Sequence, residues 1–158
     1  MTTEESMRLY FGSKNDDVET PFSLKRQLEI EFGMDLYDPC PINCTTNNLL
    51  VPWKKRNYVN PPFSNVTGFV EKAIKEYHMF GNETLLLVPF RPTTKYWNDY
   101  LWPNIKEFYV FKKNIVFAGY DRGLPIPIVL VLIGEWKDRK TFTKNQNLNW
   151  PYEKVTLK

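Results

Sequence analysis

Along the chain, apolar residues recur first with a helical period and then in short continuous runs, with prolines and polar turns between them. Leu24, Leu28 and Phe32 repeat every fourth residue behind Thr20-Pro21, and Gly33 follows. This predicts an amphipathic helix with threonine as its cap, proline at its first position and glycine at its end. Met34 to Tyr37 predicts a brief strand stopped by Asp38-Pro39-Cys40-Pro41, and Tyr58-Val59 a second strand stopped by Asn60-Pro61-Pro62-Phe63. Neither proline of that second stop can donate a backbone hydrogen bond and each fixes φ, so the strand ends in a stiff, extended turn. Val66, Phe69, Val70, Ala73, Ile74 and Tyr77 form the apolar side of a helix over 65–80, closed by Gly81. Thr84 to Val88 is an unbroken apolar run, the pattern of a strand buried on both faces. Strand, helix and strand in that order predict a right-handed crossover that brings Val88 beside Val59.

Further on, Tyr96, Trp97, Tyr100, Leu101 and Trp102 stand at helical spacing, a stripe that suits a core. Phe108 to Phe111, Ile115 to Ala118 and Pro127 to Ile133 read as strands, with Gly119 to Gly123 and Pro125 marking a hairpin-like connection to an antiparallel element. Only a dozen residues separate Cys40 from Trp53, too few for two strand-helix units, so the sheet is abbreviated. The expected organisation is a polar arm over 1–19, one α/β domain over 20–136 and a basic tail over 137–158, with Trp150 and Tyr152 as an aromatic anchor.

Composition narrows the function classes. With 158 residues, 16% aromatic and only 7 glycines, the chain suits one packed domain. A net charge of +3 permits a polyanionic partner, and Lys54-Lys55-Arg56, Lys112-Lys113 and Lys137, Arg139, Lys140 and Lys144 are the candidate phosphate contacts. Cys40 and Cys44 with the single His78 are too few and wrongly spaced for a zinc site, and two cysteines make no disulfide framework. Met1 to Ser6 has no signal-peptide character, and the longest apolar run, Ile126 to Ile133, is too short to cross a bilayer. The expectation is a soluble intracellular protein, with no membrane partner and no metal.

Open α/β sheets place ligands at the carboxyl ends of their strands, where Asp38, Asn60 and Arg91 are all expected. Asp38 is there either a turn-initiating residue or an acceptor for ribose hydroxyls or an amino-acid ammonium. Arg91 holds a phosphate or carboxylate, or makes an ordinary ion pair. Asn60 offers a side-chain carbonyl, Pro61 a backbone carbonyl without a competing N–H, and Phe63 a flat ring. That set matches a nucleobase bearing an exocyclic amine.

Asn60-Pro61-Pro62-Phe63 has the form of the Asp/Asn-Pro-Pro-Tyr/Phe motif of amino-methyltransferases. With Thr20-Pro21, Asp38-Pro39-Cys40, Trp53, Pro89-Phe90-Arg91, Thr94, Trp97 and the last apolar strand, the chain over roughly 16–133 resembles the phage-type, Dam-like DNA N6-adenine methyltransferases. The resemblance implies an abbreviated Rossmann-like methyltransferase fold, with a mostly parallel sheet, an antiparallel edge and helices on both faces. It implies S-adenosylmethionine as cofactor, lined by Thr20, Pro21, Asp38, Pro39 and Cys40, and a flipped adenine of DNA held by Asn60, Pro61, Pro62 and Phe63. Lys54, Lys55, Arg56 and Arg91 are then the expected nucleic-acid contacts. RNA adenine, cytosine N4, or a catalytically silent binding protein are the alternatives. The chain departs from the family in lacking a Gly-x-Gly loop, and in Thr46-Asn47-Asn48-Leu49, where relatives carry an acidic residue before the leucine.

Overall fold

The computed structural model describes residues 19–41, 48–112, 114–117, 126–137 and 152–157. The arm through residue 18, Cys44, Thr46, Asn47, Lys113, Ala118, the 119–125 connection and 138–151 with Trp150 lie outside the described residues.

Five strands form one mixed sheet in the order β1-β2-β4-β3-β5. They are β1 (Arg56–Val59), β2 (Glu83–Pro89), β3 (Glu107–Phe111), β4 (Ile128–Ile133) and β5 (Tyr152–Thr156). Among the described residues two α-helices flank it, α1 (Phe22–Phe32) and α2 (Val66–Phe80), with a 3-10 turn over Phe63–Asn65 and a π-helical turn over Trp97–Leu101.

The side chains of the strands alternate between two cores, as a pleated sheet requires. Tyr58, Leu85, Leu87, Leu130, Leu132 and Tyr109 cluster with Leu24, Leu28 and Phe32 of α1. Val59, Leu86, Val88, Val129, Val131 and Phe108 cluster with Phe69, Val70 and Ala73 of α2 and with Trp97 and Leu101. Both faces of β2 and β4 are therefore dry, which is why those strands are apolar without alternation. The aromatic stripe is core: Phe90, Trp97, Trp102 and Phe108 pack with ring centroids 4.8 to 6.3 Å apart.

The expected mostly parallel sheet is corrected. Among the described residues, of the hydrogen-bonded strand pairs only β1 with β2 is parallel, and β2–β4, β3–β4 and β3–β5 are antiparallel. The strand directions explain the difference. β1, β2 and β3 all run the same way, but β4 inserts between β2 and β3 and turns both of its contacts antiparallel. Val59 stands opposite Leu86, two residues before Val88. The Lys137 onward segment ends in β5, an edge strand against β3, where a polar tail was expected.

Local boundaries shift for identifiable reasons. Pro21 takes the cap position of α1 and Lys25 N–H donates to its carbonyl (3.0 Å), because the Thr20 hydroxyl is engaged elsewhere. Met34 to Tyr37 shrinks to a single parallel bridge, Tyr37 with Asn57, since Pro39 has no N–H with which to extend it. Ile115 and Phe117 are buried in the α1 core without forming a strand. Asn65 caps α2 by accepting from Gly68 N–H (3.1 Å), and Gly81 ends it in the left-handed conformation at φ 72°. No helix among the described residues is long and apolar enough to cross a membrane.

Candidate active site

The shared direction of β1, β2 and β3 brings their carboxyl ends to one edge of the sheet. The Tyr37 bridge runs parallel to β1, so Asp38 arrives at that edge beside Tyr58 and Asn60. Thr20, just before α1, closes the group from the α1 face: its Oγ1 lies 2.5 Å from the Tyr58 hydroxyl and accepts from Asn60 Nδ2 at 3.4 Å. Residues far apart in sequence thus converge on one cluster.

Its electrostatics are set by burial. Asp38 Oδ1 accepts from Cys40 N–H at 2.8 Å. Burial pushes the Asp38 carboxyl above the usual carboxylate range, against the pull of that N–H and of Lys25. Lys25 Nζ sits 4.3 Å over the Tyr58 ring, and no carboxylate among the described residues lies within ion-pair distance of it. Tyr58 is 1% exposed, and burial holds its hydroxyl protonated well above the ordinary phenol range. The Thr20 hydroxyl lowers that shift and the Asp38 charge adds to it.

The loop that carries Asp38 is braced from behind. Pro39 is buried, and its carbonyl accepts from Asn48 Nδ2. The Asn48 carbonyl in turn accepts from Trp53 Nε1 at 2.8 Å. An acid at position 48 would set a carboxylate against the Pro39 carbonyl, so this position works as a donor. Trp53 is 4% exposed, its ring lies on Phe69 and its backbone N–H donates to Glu76 Oε1.

The remaining expected residues divide. Pro21 and Pro61 are buried at the edge, while Pro62 is half-buried and precedes the 3-10 turn. Cys40 is a half-buried thiol. Phe63 is 5% exposed and packs in the α1 core with Leu24, Leu28 and Tyr58, so in this conformation it presents almost no ring face for stacking. Arg91 does reach the same edge: Phe90 N–H donates to the Pro127 carbonyl, and the Pro89 carbonyl accepts from Tyr96 and Trp97, which anchors the end of β2. Lys54, Lys55 and Arg56 do not reach it. Lys54 and Lys55 precede β1 and Arg56 is its first residue. At about 3.3 Å per residue Lys55 lies about 16 Å along the chain from Asn60. The Lys54 ammonium rests 5.6 Å from the centre of the Tyr37 ring. The Arg56 guanidinium is turned to the Phe32 carbonyl (3.1 Å) at that opposite edge.

Sequence reasoning missed Lys25 and passed over Tyr58 as a strand residue. The signal for Lys25 was positional: it stands one turn into the helix that Thr20-Pro21 opens, on the same end as Thr20. No family model matches the chain, and comparison with curated proteins and with solved structures gives no match either.

Proposed function

We propose that the chain is an S-adenosylmethionine-dependent methyltransferase acting on the N6 amine of adenine in DNA. The single observation that carries the reading is the meeting of Thr20, Asp38 and Asn60 at one sheet edge. The chemistry of the donors fits the cofactor. An α-amino acid carries an ammonium and a carboxylate, and the edge offers Asp38 for the first and Lys25, without an ion pair among the described residues, for the second. When bound, S-adenosylmethionine supplies an electrophilic methyl group on a sulfonium.

The chain's own residues then orient the acceptor. An adenine amine is a weak nucleophile because its lone pair is delocalised into the ring. Asn60 Oδ1 and the Pro61 carbonyl accept its two N–H groups, which draws the nitrogen toward tetrahedral geometry and frees its lone pair; the surplus proton leaves to solvent. No covalent enzyme intermediate is needed, and the work is orientation and electrostatics. The base has to leave the duplex at a cost of a few kcal/mol. Because Phe63 is buried, the reading rests on Asn60 and Pro61, and stacking requires that ring to turn outward. The burial of Phe63 also favours a second reading, a silent relative that binds nucleic acid without methyl transfer.

Calorimetry with S-adenosylhomocysteine and 5′-methylthioadenosine tests the cofactor half. The wild type should bind the amino-acid-bearing ligand more tightly, and Lys25→Met should remove about tenfold of that preference while leaving 5′-methylthioadenosine unaffected. Binding of neither ligand would contradict the reading.

A further inference from the structure

Behind the Asn60 amide stand the hydroxyl groups of Thr20 and Tyr58, which the methyl-transfer step described above does not itself use. An amide has a donor end and an acceptor end of nearly the same shape, so its hydrogen-bonding neighbours decide which way it faces. Thr20 Oγ1 lies between Tyr58 and Asn60, 2.5 Å from the Tyr58 hydroxyl and 3.4 Å from Asn60 Nδ2. When Thr20 donates its proton to the Tyr58 oxygen, Thr20 Oγ1 is left as an acceptor only and takes the Asn60 N–H. Tyr58 is fixed in turn, with its ring in the α1 core and Lys25 over one face. The amide nitrogen is turned to Thr20 and the carbonyl away from it.

We propose that Thr20 and Tyr58 are positioning residues that lock the Asn60 side chain with its carbonyl directed to the substrate, and so make the site select bases that present an amine. The reversed amide would present N–H groups, which match the keto oxygen of guanine or thymine and repel an amine. Thr20 acts in this way through Asn60 rather than as a contact to the cofactor. The proposal rests on the methyl-transfer reading for its consequence in turnover, but the locked amide belongs to the protein alone.

Nuclear magnetic resonance on the 15N-labelled protein without ligand tests the lock. The Asn60 side-chain NH2 signals, assigned by their loss in Asn60→Ala, should exchange slowly with solvent. In Thr20→Val and Tyr58→Phe that exchange should accelerate about tenfold, and Thr20→Ser should restore it. With cofactor affinity unchanged, kcat on adenine-containing DNA should fall about tenfold or more in the first two variants and recover in Thr20→Ser. Unchanged Asn60 exchange in both variants would overturn the proposal, as would a kcat loss matched by an equal loss of cofactor affinity. Faster Asn60 exchange in both variants, with a wild-type protein that methylates no nucleic acid, would uphold the locked amide and remove the methyl-transfer reading alone.

Discussion

Glu76 offers the sharpest test of how the site is held in place. It lies on α2 at 1% exposure, and its carboxylate accepts from Trp53 N–H at 2.5 Å and from Asn82 Nδ2 at 3.4 Å, with Lys72 Nζ at 3.5 Å. Glu76→Leu removes a charge-assisted hydrogen bond and leaves the Trp53 N–H buried without a partner, a loss of about 3–4 kcal/mol. Lys72 is 20% exposed and can turn to water, so the broken ion pair adds at most about 0.5 kcal/mol. The leucine regains about 1 kcal/mol of apolar burial. The net expectation is about 3 kcal/mol. At a urea m-value of about 2 kcal/mol/M for a chain of this size, the midpoint should fall by about 1.5 M. Glu76→Gln keeps one acceptor and should lose about half as much. Urea unfolding followed by circular dichroism and tryptophan fluorescence measures both. A Glu76→Leu midpoint within about 0.25 M of the wild type would refute the reasoning, since it would mean that Trp53 N–H finds another acceptor.

Two further outcomes follow from the same geometry. The native Asp38 pKa is raised above its unfolded value, mainly by burial, so the native state binds the extra proton. Stability from this group is full below the ordinary carboxylate pKa and is lost as pH rises through the raised native value. Asp38→Asn should therefore gain stability over the wild type progressively above pH 4 while losing cofactor affinity, and a stability difference that is flat with pH would contradict this. In the second, Arg91→Gln should weaken DNA binding and flatten its dependence on salt by about one unit of slope, whereas Lys54→Gln with Lys55→Gln, at the far edge, should change neither; the opposite pattern in a filter or anisotropy titration would reverse the assignment.

What the sequence disclosed and what it hid differ by physical cause. Periodicity located α1 and α2, and a dry run located β2, because each buries a face that spacing alone reports. The stop at Asn60-Pro61-Pro62-Phe63 was legible because proline constrains the backbone locally. The insertion of β4 between β2 and β3 was not, since an apolar strand carries no mark of its direction. Thr20 reads as a helix cap in sequence, and only tertiary contact with Tyr58 turns its hydroxyl away from that role. Lys54, Lys55 and Arg56 looked close to Asn60 along the chain, yet a strand carries its two ends to opposite edges. Phe63 reads as a stacking ring by its place in the motif, and the α1 core buries it.

The central claim is tested most directly by transfer of a labelled methyl group from S-adenosylmethionine to unmethylated duplex DNA, with nucleoside mass spectrometry of the product and Asn60→Ala in parallel. Label in N6-methyladenine that disappears with Asn60→Ala is the result the account requires. Label in no nucleoside, whether the substrate is duplex DNA, single-stranded DNA or RNA, would contradict it and leave the silent binding-protein reading.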